Sequence, residues 1–246
     1  MRILIDAMGG DRAPQAPVLG ALRAVKELGV DVTLIGQKEA IEPLLGGESG
    51  VNVVDAREVV TMEDDPSTAT RRKKDSSMAV ALRMLRDGEG DAVVSAGSTG
   101  ALLTGATLTT KRIPGIRRAA LAPVLPNGAR GVMLIDCGAN VECTPEYLLQ
   151  FAYMGSFYAD KIMGCPRPRV GLLSNGTEPT KGSPLGKQAF KLLEKAAAEG
   201  KINFIGNVEG TDVMAGGVDV VVTDGFTGNV FLKASEGMIK FALGQL

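Results

Sequence analysis

The chain has 246 residues, 45% of them hydrophobic, and its 27 basic and 28 acidic side chains leave a formal net charge of -1. That is apolar material for one large core or two modest ones in a soluble globular protein, and it gives no global basic field for non-specific nucleic-acid binding. Histidine is absent, which removes the usual general base and most zinc-site designs, and Cys137, Cys143 and Cys165 match neither a metal-ligand spacing nor an even disulfide framework, which points to the reducing cytoplasm.

Short β-branched runs alternate along the chain with amphipathic stretches. Strands are expected at "RILID" from Arg2, "DVTLIG" from Asp31, "VNVV" from Val51, "DAVVS" from Asp91, "VMLID" from Val132, "VGLLS" from Val170, "INFIG" from Ile202 and "VDVVVTD" from Val218. Ser76 or Ser77 is expected to cap the helix that follows "RRKK". Tyr147, Leu148, Phe151, Met154 and Tyr158 recur at helical spacing, with Thr144 placed as N-cap and Pro145 in the first turn. Ser183 and Pro184 repeat that start signal, and a further helix is expected from near Thr227. The N-terminus lacks a signal peptide's apolar region, and no apolar run approaches the roughly 20 residues of a membrane span. The order of elements predicts an α/β protein on a mostly parallel sheet with helices on both faces. Such sheets bind ligands beyond the carboxyl ends of their strands.

The unusual residues fall there. "DAMGGD" at Asp6, "SAGSTG" at Ser95, "DCGAN" at Asp136, "SNGTEPTKGS" at Ser174 and "TDGFTGN" at Thr223 each follow a strand end, and five polar turns are expected to converge on one rim. Glycines let backbone approach a ligand closely, and amides at a helix start favour an anion, so a phosphate or an acyl oxyanion would suit. The candidate phosphate and substrate positions are Gly9, Gly10, Ser95, Gly97, Ser98, Thr99, Gly100, Gly138, Asn140, Gly176, Thr177, Thr227 and Gly228. Neither a G-x-x-x-x-G-K-[ST] loop nor a G-x-G-x-x-G fingerprint is present, so no nucleotide, cofactor or metal is called for.

These segments in this order, together with "RRKKDSSM", "DCGANVECTPEYLLQFAYMGSFYA", "NFIGNVEG" and "VVVTDGFTGNVFLKASEG", resemble the phosphate acyltransferases of bacterial phospholipid synthesis from Met1 to about Gly237. The resemblance implies transfer of a long acyl group from acyl carrier protein to inorganic phosphate, giving acyl phosphate for a downstream glycerol-3-phosphate acyltransferase. It also implies an isocitrate/isopropylmalate dehydrogenase-like fold, a homodimer, and loose attachment to the inner membrane face. Residues 1–246 are read as one α/β acyltransferase domain without the family's C-terminal segment. Arg12 and Ala13 stand where the family usually has His and Gly after "MGGD", so no role of that histidine carries over.

Phosphate already carries nucleophilic oxygens at neutral pH, so the chemistry asks for placement and oxyanion stabilisation rather than a strong base. Lys181 is the first candidate for catalytic positive charge, with Asn175 and Asn229 beside it and Thr177 as a further hydrogen-bond donor. Asp136 and Asp224 are expected to orient neighbours. Cys137 offers a second route, a thiolate that takes the acyl group before phosphate does. Arg71, Arg72, Lys73 and Lys74 are expected to dock the carrier protein, an assignment that comes from the resemblance; by itself a charge run is a solvated loop. Three alternatives stay open: a phosphotransacetylase-like enzyme using acyl-coenzyme A, a non-catalytic carrier-protein scaffold at the membrane, and a metal-dependent dehydrogenase, for which no dinucleotide motif speaks.

Overall fold

The computed structural model describes residues 1–128 and 130–245. It divides into two compact units, Met1–Ile113 and Pro114–Leu246, each built on its own sheet. The α/β class and the mostly parallel pairing stand, with the strands shared between two sheets.

In the first unit, β1 (Arg2–Asp6), β2 (Asp31–Gly36), β3 (Val51–Asp55) and β4 (Ala92–Val94) lie in the order β3-β2-β1-β4, all parallel. Helices α1 (Gln15–Leu28) and α2 (Lys38–Leu45) cover one face over Val18, Ala21, Val32, Leu34 and Ile41. After α3 (Ala69–Arg72), helices α4 (Ser77–Arg86) and α5 (Thr99–Thr109) bury Leu4, Ile35, Val80, Met78 and Leu82 on their side. Ser76 is the cap of α4, its hydroxyl accepting from Ala79 N at 3.3 Å.

In the second unit, β5 (Val124–Leu125), β6 (Val132–Ile135), β7 (Arg169–Leu173), β8 (Asn203–Val208) and β9 (Val220–Val222) take the order β5-β6-β9-β7-β8. Among the described residues, only β5, which the sequence reading lacks, runs antiparallel. Two residues make no periodicity, so no pattern marks it. Helices α6 (Pro145–Lys161) and α7 (Pro184–Ala198) pack on one face around Phe151, Leu148 and Leu193. Helices α8 (Gly210–Met214) and α9 (Gly225–Leu243) lie against Val208, Val213, Val218 and Val221 on the other. Thr144 occupies the N-cap of α6 without a side-chain cap bond, whereas Ser183 caps α7 by accepting from Gly186 N at 3.1 Å. At the opposite end of this sheet, Asp219 accepts from Arg169 N, Nε and Nη2 at 2.7 to 2.9 Å, and the guanidinium holds its carboxyl below the usual carboxylate range.

Candidate functional site

All five polar turns follow the carboxyl ends of parallel strands, and the structure sorts them by sheet: two belong to the first unit and three to the second.

In the first unit the loops after β1 and β4 lie against each other. Ser95 Oγ donates to Asp6 Oδ2 at 2.7 Å and accepts from Gly97 N at 3.1 Å, and Asp6 Oδ1 accepts from Met8 N at 3.2 Å. A Cβ on Gly9 would sit 2.7 Å from Asp6 Oδ2 and 2.8 Å from Gly97 N, and Gly10, at φ +99°, faces Ala96. The group these glycines admit is therefore the neighbouring loop, a closer partner than the ligand expected from sequence. Ser98 caps α5 by accepting from Ala101 N at 3.4 Å, which engages its hydroxyl; Thr99 and Gly100 open that helix, with Gly100 against Pro66.

The second unit gathers two groups around its central strands. The first centres on Asp136, fully buried at the end of β6. Its Oδ1 accepts from Leu121 N at 3.0 Å and Ala139 N at 3.1 Å; its Oδ2 accepts from Asn140 N at 2.7 Å and Asn140 Nδ2 at 2.9 Å. With both oxygens doubly used, it orients the loop. Asn140 in turn reaches Ala119 O at 2.8 Å and accepts from Gly225 N at 2.8 Å, which ties the β6 loop to the start of α9. Gly228, one turn into α9, lies so close that a Cβ would overlap the carbonyl oxygen of Asp136. Gly138 is at φ +134° with the exposed Asn229 side chain nearby.

The second group is a pocket of about 520 Å³ at the carboxyl ends of β7 and β9. Ser174, Asn175, Gly182, Ser183, Asp224 and Thr227 line it with leucines from β7 and α6. The N-termini of α7 and α9 both open here, and the dipole of α7 favours an anion. Asp224 caps α9, accepting from Thr227 N at 2.9 Å and Thr227 Oγ1 at 2.8 Å, so its carboxylate already answers the α9 dipole and an anion in the pocket must sit on the α7 side. Asn175 Oδ1 accepts from Gly182 N at 3.0 Å, which fixes the loop and leaves the amide Nδ2 as donor. Asn207, buried on β8, anchors the same loop through Nδ2 to Glu178 O at 2.8 Å. Ser174 Oγ is buried and, among the described residues, has no hydrogen-bond partner. Burying a hydroxyl unpaired costs about 1 to 3 kcal/mol, so this oxygen is a donor and acceptor in want of a ligand.

Of the candidates, Asn175 and Thr227 line this pocket. Gly176, Thr177 and Lys181 are on the same loop; Thr177 and Lys181 are exposed, and the Lys181 stem covers Gly176. Gly138, Asn140, Gly228 and Asn229 belong to the Asp136 group. In the basic run, Arg71, Arg72 and Lys74 are exposed, but Lys73 turns inward, donating to Asp64 at 2.6 Å and to Val59 O at 2.8 Å. That pairing holds Asp64 below the usual carboxylate range and withdraws Lys73 from the docking set. Sequence reasoning missed Ser174: the one available signal is a hydroxyl directly after an apolar strand, and nothing in periodicity shows that it is unpaired.

Cys137 is buried, and burial, with Asp136 adding to it, pushes its thiol up to about 11. At neutral pH roughly one such thiol in ten thousand is ionised, and the covalent route loses its nucleophile. Cys137→Ala is expected to keep turnover within about twofold of the parent in a thiol-release assay; a hundredfold loss with an unchanged fold would restore the acyl-cysteine route.

A family model described as fatty acid synthesis protein matches residues 1–245. The chain is 49% identical over 238 residues to the phosphate acyltransferase of Oceanobacillus iheyensis, covering 96% of this chain and 70% of that protein. It is 50% identical over 244 residues to the phosphate acyltransferase of Heliobacterium modesticaldum, covering 97% and 72%. Among solved structures, the EutD phosphotransacetylase of Staphylococcus aureus superposes with a TM-score of 0.70 at 19% identity, over 97% of this chain and 82% of that one. A 4-hydroxythreonine-4-phosphate dehydrogenase of Burkholderia phymatum gives 0.53 at 16% identity over 89% and 78%, which extends the shared fold to dehydrogenases.

Proposed function

The chain belongs to the phosphate acyltransferase family, and from that premise we propose that it moves a fatty acyl group from the phosphopantetheine thioester of acyl carrier protein to inorganic phosphate bound in the pocket after β7 and β9. The observation that carries the placement is the unpaired Ser174 hydroxyl in a pocket onto which two helix N-termini open.

A phosphate oxygen attacks the thioester carbonyl carbon, a C–O bond forms, and the carbonyl oxygen becomes an oxyanion. Collapse breaks the C–S bond, and the proton carried by phosphate goes to the leaving thiolate, so acyl phosphate and a free thiol result. No histidine is needed, because the nucleophile arrives ionised. The protein's work is to hold a dianion against an electrophile and to stabilise the oxyanion. Ser174, the Asn175 amide and the N-terminal dipole of α7 hold phosphate. Lys181, exposed on the same loop, supplies the cation for the oxyanion.

Thiol release from acyl carrier protein thioester, with and without phosphate, tests this. Phosphate-dependent release by the parent is expected, falling about a hundredfold in Lys181→Ala, with the phosphate KM rising about tenfold in Ser174→Ala. Release that ignores phosphate would sink the transferase reading. Full activity in Lys181→Ala would remove the lysine from the mechanism, and preference for acyl-coenzyme A would replace the carrier protein as donor.

A further inference from the structure

Two buried side-chain oxygens lack a hydrogen-bond partner among the described residues, Ser174 Oγ and Asn207 Oδ1. Asn207 lies on β8 and is 6% exposed. The register of β7 and β8 pairs it with Leu172 and pairs Val208 with Leu173. Leu172 belongs to the core under α6 and α7 and Val208 to the core on the opposite face, so Asn207 shares the α7 side of the sheet with Leu172 and, by alternation, with Ser174. Leu172 and Ser174 both line the pocket after β7 and β9. The two unpaired oxygens therefore belong to neighbouring strands on the side of the sheet where an anion has to sit.

A neighbour decides which end of the Asn207 amide is unpaired. Nδ2 donates to Glu178 O at 2.8 Å, and turning the amide over would set two carbonyl oxygens against each other. The atom left over is Oδ1, which can only accept. Ser174 Oγ can donate, yet the two do not bond to each other. Satisfying both takes a group that accepts at one point and donates at another. A fully ionised anion does the first and not the second.

We propose that Asn207 is a specificity-determining residue of the phosphate pocket: its Oδ1 accepts from the P–OH of hydrogen phosphate, while Ser174 Oγ donates to an unprotonated oxygen. The inference rests on the reading that phosphate binds after β7 and β9. At neutral pH phosphate keeps at least one proton, whereas sulfate, equal in shape and charge to hydrogen phosphate, keeps none. Sulfate would turn a lone pair toward Oδ1 and leave it unpaired. One carbonyl thus separates two tetrahedral anions that the Ser174 hydroxyl, the Asn175 amide and the α7 dipole treat alike. A neutral acceptor suits the task, because a carboxylate in its place would repel the dianion.

The test is equilibrium dialysis of the protein with radiolabelled inorganic phosphate, competed by unlabelled phosphate or by sulfate at neutral pH and constant ionic strength. In the parent, sulfate is expected to compete about a hundredfold more weakly than phosphate. Asn207→Leu keeps the branching but removes both the acceptor and the anchor to Glu178; phosphate is expected to weaken about thirtyfold and its lead over sulfate to shrink to about threefold. Asn207→Asp gives up the anchor and keeps an acceptor, so both anions should weaken while a lead of about a hundredfold remains. A purely structural role for Asn207 would weaken both anions equally in either variant and leave their ratio at the parent value, which would overturn the proposal. Sulfate that competes as well as phosphate in the parent would overturn it without any variant, and would leave the phosphate pocket standing. No saturable phosphate binding by the parent would bring down the pocket reading and this inference together.

Discussion

Gly228→Ala is expected to destabilise the second unit by at least about 3 kcal/mol. Two effects of opposite sign meet at this position. An alanine inside a helix is worth about 1 kcal/mol more than a glycine, so α9 alone would gain. The added Cβ, however, would overlap the carbonyl oxygen of Asp136, a backbone atom at the end of a buried strand that has no rotamer to yield. Overpacking of that kind costs about 1 to 3 kcal/mol where side chains can shift and more where they cannot. Relief requires α9 to move off β6, which also parts Gly225 from Asn140. The readout is unusually direct, because the chain has no tryptophan and its three tyrosines, Tyr147, Tyr153 and Tyr158, all lie on α6. Tyrosine fluorescence therefore follows the second unit alone, and its urea midpoint should fall by more than about 1 M. An unchanged midpoint would mean that the contact is not held in solution.

Asp136→Ala is the companion result, expected to cost about 3 to 5 kcal/mol by the same measurement. The carboxylate accepts four hydrogen bonds, three from backbone amides and one from Asn140 Nδ2, and it is fully buried. Its removal strands those donors, at about 1 to 3 kcal/mol for each that water does not reach. Asp136→Asn keeps one acceptor and turns an NH2 group toward a donor, so it should fall between parent and alanine. A loss under about 1 kcal/mol for alanine would show that the loop closes without its hub. Phosphate-dependent activity should fall with stability in both variants, because Asn140 and α9 are positioned through this carboxylate.

The strands expected from β-branched runs are present within a residue or two of their predicted starts, because parallel buried strands read as continuous apolar segments. Ser183 before Pro184 was legible for a similar reason: the cap and the fixed proline angle are local properties. The division into two sheets was not legible, since pairing partners such as β6 and β9 are distant in sequence and every strand looks equally buried. In the site, residue type announced Asn175 and Thr227, but it did not distinguish glycines that admit a ligand from Gly9 and Gly97, which admit each other's loops. Lys73 and Lys74 are adjacent and alike in sequence; only the fold turns one toward Asp64 and the other outward. Ser174 required a census of partners, which is a property of the folded state.

β9 is three valines long, fully buried, and inserted between β6 and β7. A chain is made from its amino end, so on the ribosome β6 and β7 both exist well before the strand that separates them. In the first unit, by contrast, β4 joins last at an outer edge beside β1, and a three-stranded sheet is already complete without it. The second unit has only the separate pairs β5–β6 and β7–β8 until then, and β6 and β7 each keep an edge of unpaired backbone N–H and C=O groups until Val220–Val222 has left the exit tunnel. During synthesis this half of the molecule is therefore the one whose sheet stays open longest, with its exposure to aggregation ending only when β9 enters.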